Sequence, residues 1–300
     1  MLVRYSALLL GLIPAFASAA NPGAASTFRA DSNLVLVRVT VLERNGRPVR
    51  NLSAENFELT EDNRPQKVSY FLKEEMPVSI AIVADLSHSM SRKMDALRRA
   101  VERFVGAANA EDEFCLVTLR DQAQLVHDFG VSPGQIVSEV QNAQADGHTA
   151  LLDGLYLAAH QMRKARYARR AIFVISDGGD NHSRFTAHDL SELAVESDTA
   201  IYAVEPPGSS NSWAPEEGGL LQDLADLTGG HDYRVEDPSQ LASAARQIGI
   251  ELRSQYVLGY IPEGVTADGK YHRLRVKLVP PPGLPRLSAY WRRGYFAPGN

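Results

Sequence analysis

Residues 34–43, LVLVRVTVLE, alternate apolar and polar positions and are rich in valine, the pattern of a half-buried strand, and Asn45-Gly46 supplies a turn after it. NFELTEDNRPQKVSYFLKEE predicts two short strands around the turn former Asp62-Asn63, preceded by a single helical turn at SAEN. From Pro77 the pattern changes. VSIAIVADLS is nearly continuously apolar, as a parallel strand covered on both faces requires. SRKMDALRRAVERFVGAAN then carries Met94, Leu97, Val101, Phe104 and Val105 at helical spacing. A strand EFCLVTLR, an edge strand AQLVHDFG, helices over SPGQIVSEVQNA and ALLDGLYLAAHQMRKAR, and a strand RAIFVIS come next. They are followed by a helix TAHDLSELAVESD, a strand AIYAVEP, a helix near GLLQDLADLTGG, a short strand HDYRV and a helix SQLASAARQIGIELRS. Strands alternating with helices of about 10 to 18 residues imply a doubly wound, mostly parallel α/β sheet. In such sheets ligands bind beyond the carboxyl ends of the strands, at a switch point.

After Ser254 the chain returns to strands, QYVLGYIP, YHRLRVKLV and RLSAYWRRGYF, joined by the Asp268-Gly269 turn and by PPPGLP. Hairpins this short are marginal alone. The expectation is therefore a small β-sandwich-like domain built from both chain ends, residues 31–76 and 253–298, into which an α/β domain over 77–252 is inserted. Two separate β appendages are the alternative.

The first residues add a destination. In MLVRYSALLLGLIPAFASAA, Arg4 precedes an apolar run that ends in small residues, and Ala17-Ser18-Ala19 fits a cleavage signal. We read 1–19 as a signal peptide and 20–30 as a linker, which makes the protein exported, periplasmic or extracellular. Pro14 breaks the apolar run short of the roughly 18 to 20 residues a membrane span needs, so no transmembrane segment is expected in the mature chain. Cys115 is the only cysteine, which excludes an internal disulfide, and its place in EFCLVTL suits packing rather than reactivity. The net charge of −5 becomes −6 once Arg4 is lost, which argues against nucleic acid as a partner.

Candidate chemistry gathers at three places the pattern puts on one edge of the sheet. The strand ending at Ala84 delivers Asp85, Ser87 and Ser89 in DLSHS; DGHTALLDG sets Thr149 just before a helix; FVISDGGDN sets Asp177 directly after another apolar strand. Two carboxylates and three hydroxyls without a cysteine make a hard-oxygen set, suited to Mg²⁺, Mn²⁺ or Ca²⁺. The same residues could instead cap helix N-termini without metal.

DLSHS, then Thr149, then Asp177 resembles the metal-ion-dependent adhesion site of von Willebrand factor type A domains, with D-x-S-x-S followed by a Thr and an Asp. The resemblance spans residues 77–252, and VRNLSAENFELTEDNRPQKVSYF and the terminal RRGYF look like flanks of a secreted bacterial subgroup. It implies the Rossmann-like fold of that family, a divalent cation held by Asp85, Ser87, Ser89, Thr149 and Asp177, a partner protein offering an Asp or Glu to the metal, and no catalysis. An envelope structural protein with a purely stabilising metal is the alternative function. A metal-dependent hydrolase ranks lower, because such enzymes use more direct carboxylate or histidine ligands; the chain also lacks a G-x-S-x-G elbow around the serines and a phosphate-binding glycine loop after the first α/β strand.

His88, His148 and His182 sit one in each loop, as solvated side chains or as a rim that turns cationic near pH 6. Asp180 and Asn181 either support the site by hydrogen bonds or form the turn after the strand. RKARYARR, residues 163–170, is expected as the solvated basic end of a helix. PPGSSNSWAPEEGG is a long polar loop carrying Trp213.

Overall fold

The computed structural model describes residues 34–73, 75–208, 219–263, 268–283 and 285–299. The signal peptide, the linker and Trp213 with most of its loop lie outside them.

Six strands form the central sheet: β5 (Ser79–Asp85), β6 (Glu113–Leu119), β7 (Ala123–His127), β8 (Arg170–Ile175), β9 (Thr199–Glu205) and β10 (Asp232–Arg234). Their spatial order is β10-β9-β8-β5-β6-β7, parallel except for β7, which pairs antiparallel with β6 at the edge. Every residue of β5 is buried. Its side chains alternate between two layers, as period-2 geometry demands. Ile80, Ile82 and Ala84 pack with α1 (Met94–Gly106), α2 (Pro133–Asn142) and α6 (Leu241–Leu252). Ala81 and Val83 pack with α3 (Leu151–Gln161), α4 (Ala187–Glu196) and α5 (Leu220–Thr228). The chain runs from β5 outward to β7, then returns to the other side of β5 to build β8, β9 and β10. The switch point therefore falls between β5 and β8, and the loops that follow these two strands open into one crevice.

Two four-stranded antiparallel sheets mix strands from both chain ends. One runs β13-β1-β11-β4 and the other β14-β12-β2-β3. Their members are β1 (Val35–Glu43), β2 (Phe57–Glu61), β3 (Arg64–Gln66), β4 (Tyr70–Leu72), β11 (Gln255–Tyr260), β12 (Tyr271–Leu278), β13 (Leu287–Trp291) and β14 (Gly294–Phe296). Val37, Val39, Tyr256 and Leu258 from the first sheet and Phe57, Leu59, Leu274 and Val276 from the second share one core. Asp62 and Asn63 both take left-handed backbone, φ 46° and 64°, which turns β2 back onto β3.

Three elements differ from expectation. A third strand, β4, follows β2 and β3 and leaves their sheet to pair with β11. RLSAYWRRGYF is two strands rather than one: β13 pairs with β1, and β14 with β12 in the other sheet. The crossing falls at Arg292-Arg293, where Arg293 N–H donates to Leu227 O and its carbonyl accepts from Leu274 N. The helix expected from Ser91 begins with a tighter 3₁₀ segment, His88–Lys93, before α1.

Candidate metal centre

Asp85 ends β5, and its Oδ1 accepts the backbone N–H of Ser87 at 2.9 Å, a short-range turn that stops the strand. Met90 N–H then donates to Ser87 O at 3.0 Å and starts the 3₁₀ turn. Ser87 Oγ and Ser89 Oγ come within 3.0 Å of each other on the same side of that turn. Backbone bonds lace the second loop to the first: Asp146 N–H donates to Leu86 O at 2.8 Å, and His88 N–H to Gly147 O at 3.0 Å. Gly147 holds φ 77°, a left-handed conformation that disfavours any side chain, and a β-carbon there would also have to displace the Asp121 carboxylate, 2.8 Å away.

The third loop, after β8, locks the second. Asn181 Oδ1 accepts from Thr149 N–H at 3.0 Å, while the N–H groups of Asn181 and His182 donate to Thr149 O at 3.1 and 3.2 Å. Asp180 Oδ2 accepts Leu152 N–H at 2.8 Å and Ser183 Oγ accepts Asp153 N–H at 3.0 Å, so the first turn of α3 is capped from a loop thirty residues away. Asp180 thus builds the turn and caps α3, while Asn181 supports Thr149.

Ser89, Thr149 and Asp177 line a cleft of about 490 Å³, together with His88, His148 and Asn181. Asp85 and Ser87 lie just beneath, fully enclosed. The structure therefore brings all five sequence-predicted residues to one place. The three histidines do not share one rim: His88 and His148 line this cleft, whereas His182 lines an adjoining one, its ring stacked on His148 at 5.2 Å.

Two groups at the site carry no signal in D-x-S-x-S. Ser176 Oγ donates to Asp85 Oδ2 at 2.6 Å in a fully buried hydrogen bond, leaving Asp85 with both oxygens engaged by protein donors. Lys93 Nζ meets Asp177 Oδ2 at 3.1 Å, with both side chains largely buried. Ser176 immediately precedes Asp177 and could have been suspected from that adjacency; Lys93 stands eight residues past Asp85 and only the 3₁₀ turn folds it back.

Burial raises the Asp85 pKa above its ordinary value. Hydrogen bonds from Ser176 and Ser87 pull the other way, and the charge of Asp177 adds to the rise. Two neighbouring carboxylates with one lysine leave net negative charge in a desolvated place, which fits a small hard cation. Among the described residues no group of three or more His, Cys, Asp or Glu is arranged to hold a metal. A cation here would depend on hydroxyls and water for most of its oxygens, as Mg²⁺ tolerates well.

Among curated proteins none matches. Among solved structures, a von Willebrand factor type A protein from Catenulispora acidiphila is 15% identical with a TM-score of 0.53, over 89% of this chain and 75% of that one. Proximal thread matrix protein 1 from mussel byssus, solved with a zinc occupied MIDAS motif, is 16% identical with a TM-score of 0.53, over 65% of this chain and 50% of that one. Residues 80–179, a span that contains Asp85, Ser87, Ser89, Thr149 and Asp177, match the von Willebrand factor type A domain, and the central α/β fold is of that type.

Proposed function

We propose that this is an exported, cation-dependent protein-binding module in which Asp85, Ser87, Ser89, Thr149 and Asp177 hold Mg²⁺, or Mn²⁺ or Ca²⁺, and a partner protein supplies an Asp or Glu. Domains of this family generally serve protein interaction. The observation that carries the reading is the convergence of three separate loops on one open cleft, with hydroxyls on its wall and Asp85 beneath. When bound, the ion would offer an electrophilic position to an outside carboxylate. The hydroxyls of Ser87, Ser89 and Thr149 bind it without adding negative charge. Asp85 has both oxygens tied to Ser87 and Ser176, so it acts through water and orients the first loop. The zinc-occupied motif of the mussel protein supports a divalent ion, and the related fold supports the site's placement.

The division into 31–76, 77–252 and 253–298 belongs to the same proposal, as does a periplasmic or extracellular location. No helix among the described residues is long and apolar enough to cross a membrane.

Capture of envelope proteins on the immobilised full chain, in Mg²⁺ and in EDTA, tests the function. Asp85→Ala and Thr149→Ala are expected to abolish Mg²⁺-dependent capture of a protein that wild type retains, with circular dichroism unchanged. Full capture by both variants sinks the reading. A metal that raises the melting temperature but leaves capture unchanged in EDTA would instead make it a stabilising ion in an envelope structural protein.

A further inference from the structure

The basic run 163–170 does not end in solvent. Arg169 is 4% exposed and, with Arg170 at the head of β8, faces a small cavity where the central sheet meets the strands of the chain ends. Arg38 from β1, Arg292 just past β13, Asp198 from the turn before β9 and Gln255 complete its polar wall. Four guanidinium groups thus surround one carboxylate. Both oxygens of that carboxylate are already taken, Oδ2 by Arg38 Nη1 at 2.5 Å and Oδ1 by Arg292 Nη1 at 2.9 Å.

Arg169 and Arg170 make no ion pair among the described residues. Arg169 Nη1 donates only to the carbonyls of Leu252 at 3.3 Å and Met76 at 3.4 Å, and Arg170 Nη1 to Ser197 O at 3.2 Å. Arg169 Nη2, Arg170 Nε and Arg292 Nε are sealed from solvent and have no hydrogen-bond partner among the described residues. Buried unpaired charge is among the costliest arrangements a protein can hold. Arg169 registers that cost: burial, followed by the charge of Arg38, pushes its guanidinium down to about 10, against the smaller opposing effects of Tyr202 and Asp112.

The space between these groups is about 20 Å³, room for one water-sized species. We propose that this cavity is a binding site for a monatomic anion, chloride, held by Arg169, Arg170 and Arg292. Water would satisfy the donors but leave Arg169 and Arg170 without a counter-charge, since Asp198 is already shared by Arg38 and Arg292. Sulfate and phosphate are too large for the space, and about 20 Å³ leaves no room for a partner's carboxylate side chain. Gln255 completes the set. Its Oε1 has no partner, while its Nε2 faces the hydroxyls of Tyr202 at 3.0 Å and Thr40 at 3.3 Å. Turned by half a rotation, the amide accepts from those hydroxyls and presents its NH₂ to the anion. The ion ties β8 to the segment after β13, elements more than a hundred residues apart.

The test uses the full chain at fixed ionic strength and fixed Mg²⁺, exchanging sodium gluconate for sodium chloride or sodium bromide. A saturable rise in melting temperature of about 3–6 °C is expected with either halide. Crystals grown in sodium bromide are expected to show an anomalous peak in contact with Arg169 and Arg292. Arg169→Met is expected to lose the halide-dependent rise. Equal melting in gluconate and halide, an unchanged rise in the variant, or a bromide-free cavity each overturns the proposal. Should Arg169→Met fail to fold, the wild-type bromide crystal decides alone.

Discussion

Ser176→Ala removes one oxygen from the centre of the protein, and the consequence can be worked from the bonds it breaks. The hydroxyl donates to Asp85 Oδ2 at 2.6 Å, out of reach of bulk solvent, and accepts the N–H of Gly178 at 3.2 Å in a partly buried bond. A hydrogen bond to a charged acceptor contributes about 1.5–3 kcal/mol, because its loss leaves a buried carboxylate oxygen without a donor. For a chain of this size about 2 kcal/mol corresponds to a fall of about 4–8 °C in melting temperature. The loss should depend on pH. Burial already raises the Asp85 pKa in the folded state, so the folded protein binds this proton more tightly than the unfolded chain does. The resulting stability is fully present below the unfolded value near 3.8 and is lost as pH rises through the folded value. Without Ser176 the carboxylate form is worse solvated, the folded pKa climbs further, and the loss with rising pH becomes larger and extends higher.

Urea unfolding of wild type and Ser176→Ala in EDTA, from pH 4 to pH 9, reads this directly. The destabilisation should grow from the acid end, where protonation of Asp85 is most favoured, toward about 2 kcal/mol at the alkaline end. Saturating Mg²⁺ should shrink the pH dependence, since the cation stabilises the ionised carboxyl. A difference under 0.5 kcal/mol, or one that does not vary with pH, refutes the argument that Ser176 solvates a buried charge.

Two further outcomes follow from the same charges and burial. Lys93→Met removes the ammonium that faces Asp177; sparing a bound divalent ion about 1 kcal/mol of like-charge repulsion should tighten Mg²⁺ about fivefold by calorimetry, and weaker binding would mean instead that Lys93 holds Asp177 in place. The Cys115 thiol is pushed up to about 12, by burial first and then by Asp128 and Glu113, so Ellman's reagent at pH 8 should label it only in urea; rapid labelling of the native protein would contradict its buried place in β6.

The strands legible from sequence were those whose pattern is set by their own two faces. The apolar run of β5 reads as a strand covered on both sides because α1 and α3 do cover it. β4 was missed because three residues with one exposed cannot display a period, and its place is decided by β11, nearly two hundred residues later. The break between β13 and β14 is invisible for a related reason. Alternation continues through RLSAYWRRGYF, and what interrupts it is the bonding of Arg292 to Asp198 and Leu36, together with Gly294, where any β-carbon would strike Tyr271 and the His272 carbonyl.

The candidate site was legible for a different reason: its residues are polar where the pattern calls for something else. A strand that ends in Asp85, a helix that starts behind Thr149 and a strand followed by Asp177 each place oxygen at a sheet edge where topology alone leaves an opening. What the sequence hid was the support. Ser176 and Lys93 act on Asp85 and Asp177 from the end of β8 and from the 3₁₀ turn, and a serine closing a strand or a lysine at a helix start looks like solvated surface until the fold buries it. Arg169 was misread in the same way, as the solvated end of a helix, because the carbonyls of Met76 and Leu252 that receive it lie some ninety residues to either side. In both places a charge looked free in the sequence because its environment is built from distant segments. Sequence pattern finds polar groups that break a local rule, and it passes over those that obey the rule locally and are enclosed only by the fold.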